Sequence, residues 1–362
     1  MYRGALLAVD EVNAAGGING RPLTAVTEDC ESNCFTAAAK LRKLVREDRV
    51  NACVGGFTSA SRIAMLQAVH ETSSLLVFPT YFEGLENDTR TFYSAAIPNQ
   101  FLFDYIHWIA ENLGDRLYIV GSDYIYPRTA SAIISSIAAD AGITIVGDRY
   151  VPQGETDFSA VMAEITEMRP GVIISNIVGT PSTSVFYQHY RRAGFEPSKM
   201  PIAATVTSEI DLKTMGPQNG AGHYMAASYF SSLNTPENRR YLRSFSSRFG
   251  PNPTTHVTQV GTYNAVWMLA LAARRADDDT VDALRAALIE TQFEENPEGW
   301  PLRVHANHYT SHPAYIGVAR GDGQYEVLAQ YPNRSPNPFP AAIVPPRNRP
   351  DMPSDKPSRG KP

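Results

Sequence analysis

What the chain lacks narrows its chemistry first. Three cysteines in 362 residues, Cys30, Cys34 and Cys53, are too few for a disulfide framework. Cys30 and Cys34 are open to pairing or to remaining free thiols, while Cys53 sits in a strand pattern as a small buried hydrophobe. The three show no metal-ligand spacing, and no metal or other cofactor is expected. No apolar run is long enough to span a bilayer, so membrane insertion is not expected either. Charge of one sign is also lacking. A net charge of −5 leaves no basic footprint for direct contact with nucleic acid.

What is present fits a globular chain. Hydrophobic residues make up 43% and charged residues 19%, and 362 residues is long for one core, which predicts two lobes. Strand and helix patterns alternate almost throughout, the mark of a parallel sheet covered on both faces. A helix over 2–14 stops at Gly16-Gly17, and the turn Asn19-Gly20 leads to a strand at 23–27. Helix 36–47, strand 50–54, helix 59–73, strand 75–80 and helix 99–113 follow. A second set begins with strand 116–124 and runs through helix 128–141, strand 143–147, helix 157–168, strand 171–177, helix 182–193 and strands 201–205 and 223–228. Helices at 236–248, 257–274 and 280–290 no longer alternate with strands, so they are expected to pack back on the first lobe. The stretch from Leu302 to Tyr331 reads as β-hairpins with a turn at Gly321–Gly323, and a proline-rich tail covers 336–362.

The stretch "VGGFTSAS" (54–61) carries the clearest local signal. An apolar run ends in two glycines and then in hydroxyls just before a helix, leaving free backbone N–H groups beside Thr58, Ser59 and Ser61. Such a turn caps its helix, holds the polar end of a small ligand, or does both. It is not a nucleophile elbow, because Ala60-Ser61 follows Ser59 where G-x-S-x-G needs a glycine. "GGING" lacks the Lys-Ser/Thr of a phosphate loop. His305, His308 and His312 share a hairpin segment without a neighbouring acid or thiol to complete a metal site. "RRAGFEPSK" is a solvated helix end. An enzyme is not expected.

Taken in order, "AVDEVNAAGGINGRPL", "VGGFTSASR", "VFPTYFEGLE", "IPNQ", "GSDYIYPR", "NIVGT", "TVTSE" and "SYFSSLNTPENRRY" resemble the type I periplasmic-binding-protein family. The resemblance runs from residue 1 to about 340 and looks closest to the branch that recognises short-chain amides and urea. That branch includes urea receptors of ABC transporters and the amide sensor that negatively regulates an aliphatic amidase operon. It implies two doubly wound parallel-sheet lobes joined by three crossovers, with the ligand cleft between them. The pattern above places lobe 1 at 1–115 plus 232–293 and lobe 2 at 116–231 plus 294–335, with hinges near 115, 231 and 294. A doubly wound lobe begins with a strand, whereas "MYRGALLAVDEV" runs straight into a helix, so the natural chain is expected to begin upstream of Met1. Compartment therefore stays open: cytoplasmic for a sensor, periplasmic for a transporter receptor.

The resemblance also nominates side chains. Ser59 matches the serine that hydrogen-bonds the amide, Phe57 an aromatic wall and Thr80 a hydrogen-bonding threonine. Phe78 stands where the amide sensor carries tyrosine, which removes one hydroxyl. Tyr81 and Phe82 are adjacent in the loop beyond, so one of the two is expected to face the ligand. From lobe 2, Tyr124 matches the tyrosine that closes over the ligand, and Tyr126 either lines the site or packs within its lobe. Thr207, Ser208 and Thr180 fit the second wall, and Glu209 is a ligand acceptor or, preferably, a charge at a helix N-terminus.

The expected function is thus non-catalytic binding of a short-chain amide or urea, as a sensor working with an antitermination-type regulator protein. The alternatives are a receptor feeding an ABC permease, or a branched-chain amino-acid receptor, in which Asp123 or Glu209 must neutralise the ammonium. Ligand size limits affinity. At about 1.5 kcal/mol per heavy atom, a four-atom ligand gains roughly 6 kcal/mol, a dissociation constant of tens of micromolar at best.

Overall fold

Short apolar strands separated by amphipathic helices build two sheets in this chain. The computed structural model describes residues 1–340; residues 341–362, most of the expected tail, lie outside the described part. Helix α1 (Tyr2–Ala14) and helix α2 (Cys34–Arg46) precede strand β1 (Cys53–Val54), which turns into α3 (Ser59–Thr72). Strands β2 (Leu76–Phe78) and β3 (Thr91–Tyr93) lie parallel to β1 in the order β1-β2-β3. Helix α4 (Pro98–Asn112) then leads into β4 (Arg116–Ser122), α5 (Ile125–Asp140), β5 (Thr144–Val151), α6 (Ser159–Met168), β6 (Val172–Asn176), α7 (Ser182–Arg192) and β7 (Ile202–Ala204). Short helices α8 (Glu209–Met215) and α9 (Pro217–Gly220) precede β8 (Tyr224–Ala227). The chain returns through α10 (Pro236–Phe249), α11 (Val257–Ala273), α12 (Val281–Leu288) and a small antiparallel pair, β9 (Gln292–Phe293) with β10 (Leu302–Arg303). It ends in the hairpin β11 (His312–Ala319) and β12 (Tyr325–Arg334).

The second sheet has seven strands in the order β12-β11-β8-β7-β6-β4-β5. It is parallel from β8 to β5, while β11 runs antiparallel to β8 and β12, so the expectation of parallel strands holds except at the hairpin edge. Strand β6 is buried along its whole length, as a parallel strand covered on both faces must be. The expected strand at 23–27 forms no ladder. It is largely exposed, and Leu23 instead exchanges hydrogen bonds with the Asn13 side chain. Strand β3 and the β9–β10 pair escaped the pattern reading because two or three residues show no period.

Packing corrects two of the three hinges. Helix α4, expected in lobe 1, buries Phe101, Leu102, Tyr105, Ile106 and Ile109 against Ile119, Ile174 and Ile316 of the second sheet. The first crossover therefore falls at 94–97 rather than near 115. At the other end, Tyr309 pairs beside Tyr93 and stacks on it at 4.3 Å, so 294–310 remain with lobe 1. The third crossover lies at 310–312, where Gln100 Nε2 donates to the carbonyls of Thr310 and Arg334. The crossover between β8 and α10 falls at 228–235. Helix α11 packs on α1. Cys30, Cys34 and Cys53 are free thiols, with Cys53 buried. Among the described residues no helix is long and apolar enough to cross a membrane.

Close approach fixes one glycine. A Cβ on Gly261 of α11 would stand 2.7 Å from the Pro79 carbonyl oxygen, in the backbone just beyond β2. Gly261→Ala should destabilise the protein by about 1–3 kcal/mol, read as a lower midpoint in urea with unchanged slope.

Candidate functional site

The turn at 54–61 is built as a cradle. Gly56 adopts φ +94°, and a Cβ there would stand 2.9 Å from the Phe78 ring. Thr80 Oγ1 donates to the Gly56 carbonyl at 2.8 Å and locks the turn from the neighbouring strand. Thr58 and Ser61 form a reciprocal cap on α3. Thr58, not Ser59, is thus the capping hydroxyl, and Ser59 is the first helical residue, 3% exposed.

The Ser59 hydroxyl has a partner that the pattern reading missed. It donates to Glu83 Oε2 at 2.6 Å, and the other oxygen of Glu83 accepts from Arg62 Nη2 at 2.9 Å. Arg62 also meets Glu86 at 3.2 Å, and its guanidinium lies 4.2 Å from the Phe82 ring centroid. Arg62 and Glu83 are 2% and 5% exposed, so this is a buried ion pair. With its proton committed to Glu83, Ser59 offers only lone pairs to a ligand.

Lobe 2 answers with tyrosines. Tyr124 is the N-cap of α5 and makes no side-chain capping bond. Burial first, then neighbouring Tyr126 and Glu83, push its phenol well above the ordinary value, so it stays protonated and available as a donor. Tyr126 packs edge-on against Tyr81 of lobe 1, ring centroids 6.4 Å apart, and this contact bridges the lobes. Burial, then Tyr126, Asp211 and Tyr124, hold the Tyr81 phenol high as well. Ser59, Glu83, Tyr81, Tyr124 and Tyr126 therefore converge between the lobes.

The remaining nominees stand apart from that cluster. Phe78 is fully buried in a lobe 1 core with Phe82, Tyr93 and Tyr309, so it is no wall. Phe57 is 48% exposed on the surface. Thr180 is exposed, and Thr207 is buried, its hydroxyl and carbonyl taken by Tyr187 and Tyr325. Ser208 caps α8, bonded to Asp211 at 2.8 Å. Asp123 is exposed and paired with Arg128 at 2.6 Å. Glu209 sits at the start of α8, where its carboxyl accepts from Ser231 N at 2.7 Å, the preferred helix-terminal role. The three histidines go to structural partners: His305 to Ser311, His308 stacked on Phe92, and His312 to Glu298.

Tyr81 also lines a small, partly open pocket beside the hinge, of about 10 Å³, room for about one water molecule. Its walls include Ala95 and Ala96 of the first crossover, Ser228 of the second, Thr205 and Met225 of lobe 2, and Glu298. Among the described residues no lysine or arginine lines it.

Two α/β lobes, three adjacent crossovers and a polar cleft between them define a two-lobed binding protein. The chain belongs to the periplasmic binding protein family, whose domain model matches residues 1–344. It is 21% identical to Leu/Ile/Val-binding protein homolog 7 of Brucella melitensis, over 91% of this chain and 86% of that protein. A 114-residue stretch is 30% identical to a Geobacillus stearothermophilus protein named limonene hydroxylase, spanning 32% of this chain but only 21% of that one. Among solved structures, an ABC-transporter solute-binding protein of R. palustris in complex with benzoate superposes with a TM-score of 0.81 at 20% identity, covering 92% of both chains. A branched-chain amino acid transporter substrate-binding protein of Streptococcus pneumoniae with isoleucine gives 0.79 at 22% identity, over 92% of this chain and 94% of that one. These likenesses fix the fold and the family; they do not single out the amide and urea branch.

Glu209 makes the fold sensitive to pH. Burial raises its carboxyl from 4.5 to about 7, against the backbone hydrogen bond from Ser231. A raised acid favours the folded state while protonated, so its contribution is full below about 4.5 and is lost as pH rises to about 7. Urea titrations from pH 5 to 8 should show stability falling across that window in the wild type and a flatter profile in Glu209→Gln.

Proposed function

We propose that this chain is the solute-binding receptor of an ABC-type importer, and that its cleft takes a small solute rich in N–H donors, a short-chain amide or urea. The observation that carries the ligand reading is Glu83, a buried carboxylate held by Ser59 and Arg62 beside Tyr124. Its remaining lone pairs, with those of Ser59, suit an NH₂ group, and the protonated phenol of Tyr124 suits a carbonyl. Arg62 faces both Glu83 and Glu86, one positive charge against two negative. An anionic ligand such as the benzoate of the R. palustris relative would meet uncompensated negative charge there.

A second reading is favoured by the isoleucine complex and the Leu/Ile/Val-binding homologues. In it Glu83 holds the ammonium of a branched-chain amino acid, and the first-turn N–H groups of α3 and α5 must take the carboxylate. Both readings use a permease as partner. The two solved structures named above are transporter solute- or substrate-binding proteins, which favours a receptor acting outside the cytoplasm over a sensor of amidase expression.

Calorimetric titration with acetamide, propionamide, urea and isoleucine separates the two ligand readings. Saturable binding of an amide or urea, weakened about tenfold or more by Glu83→Gln and by Tyr124→Phe, is the expected result. Binding of isoleucine with no response to any amide or urea would replace the first reading with the second.

A further inference from the structure

We infer that residues 335–340 are a positioning strap for the candidate site: they run from lobe 2 to the lobe 1 loop that carries Tyr81 and Glu83, and solute affinity depends on their holding that loop. This rests on the reading above and adds to it residues that touch no solute.

The stretch reads Ser-Pro-Asn-Pro-Phe-Pro and follows β12, the edge strand of the second sheet. Pro336, Pro338 and Pro340 are buried. Proline carries no N–H, so every second residue of the strap is buried without leaving a donor unpaired. The N–H groups between the prolines are taken: Asn337 N donates to Asn99 Oδ1 at 2.9 Å, and Phe339 N to Asn337 Oδ1 at 3.1 Å. Carbonyls are taken as well. Asn99 Nδ2 donates to the Ser335 carbonyl at 3.0 Å, Asn307 Nδ2 to that of Pro336 at 3.2 Å, and Leu85 N to that of Pro338 at 3.0 Å. A proline-rich segment has little freedom to lose on docking, so these few bonds hold it to one course.

That course joins the lobes. Asn99 lies in the first turn of α4, which packs on the second sheet, and Arg334 at the root of the strap meets Asp104 of the same helix at 2.9 Å. Leu85, at the other end, lies between β2 and β3 of lobe 1.

The contact at Leu85 is where the strap bears on the site. Gly84 and Leu85, which directly follow Glu83, both adopt the left-handed backbone, with φ +70° and +58°. For leucine that conformation is unfavourable and persists only where its neighbours fix it. The Pro338 carbonyl is the partner of the Leu85 N–H, and it lies so close that a Cβ on Gly84 would stand 3.3 Å from it. Tyr309 Oη anchors the next residue through the Glu86 carbonyl at 2.7 Å, so the loop is clamped between lobe 1 and the strap. Ser59 and Arg62 hold the Glu83 carboxylate, and the strap holds the backbone that delivers it. A loop fixed in this way needs less ordering when a solute arrives.

Two full-length variants test this. Asn99→Ala removes both side-chain bonds that anchor the strap, and Pro338→Gly returns freedom to it and adds a buried N–H. Hydrogen exchange should show the Leu85 amide about tenfold less protected in each. Calorimetry with acetamide, propionamide, urea and isoleucine should show whichever solute the wild type binds about fivefold weaker in each. A segment that only stabilises the fold would lower the unfolding midpoint in guanidinium and leave affinity alone. A dissociation constant within about twofold of the wild type in either folded variant therefore overturns the inference, as does unchanged protection at Leu85, and the ligand reading then stands without it. Should one variant fail to fold, the other decides. If none of these solutes binds the wild type, the ligand reading falls and takes this inference with it.

Discussion

The cleft depends on one buried cation. Arg62 is held in place by Glu83, by Glu86 and by the face of Phe82, and it in turn fixes the carboxylate to which Ser59 donates. Such a network is stable only when complete. Removing one partner from a buried ion pair typically costs about 3–5 kcal/mol, because the other charge is then stranded. The same rigidity makes Glu83 useful: an acceptor already desolvated and oriented needs no reorganisation when an N–H group arrives. Tyr93, which donates to Glu86, and Tyr309, stacked on Tyr93, carry the restraint to the segment just before the third crossover.

Small side chains at the joint set the second constraint. Ala95 and Ala96 in the first crossover leave the lobes room to approach until Tyr81 meets Tyr126. A ligand between them favours the closed form only through contacts that the open form lacks. Contacts made from both lobes, such as Ser59 with Tyr124, are of that kind, whereas a contact to one lobe alone shifts nothing.

Much of this was legible in the sequence because periodicity survives in long elements. The helix expected over 128–141 is observed as Ile125–Asp140, and that over 157–168 as Ser159–Met168. Lobe membership was less legible, since a helix pattern such as that of α4 shows which face is apolar but not which sheet it covers. Ser59, Tyr81, Tyr124 and Tyr126, which the family resemblance nominated, stand near one another at the ends of elements. Phe78 was misplaced because its apolar ring serves a lobe 1 core. Glu83 and Arg62 stood in quoted motifs, yet their pairing joins residues 21 positions apart and has no local signature. A charged residue inside each of two motifs that a strand-turn-helix unit folds together was the signal available.

The three crossovers have a kinetic meaning as well. The first sheet is begun by residues 53–93 but is covered by helices up to residue 288, and the second, begun at residue 116, is closed only by the hairpin ending at Arg334. Neither lobe can therefore complete its core until the segment beyond residue 280 has been made, and the second waits for the hairpin ending at Arg334. Contacts of such long sequence separation fold slowly and leave apolar surface uncovered in the meantime. A chain so interleaved has two lobes in space and a single unit in time.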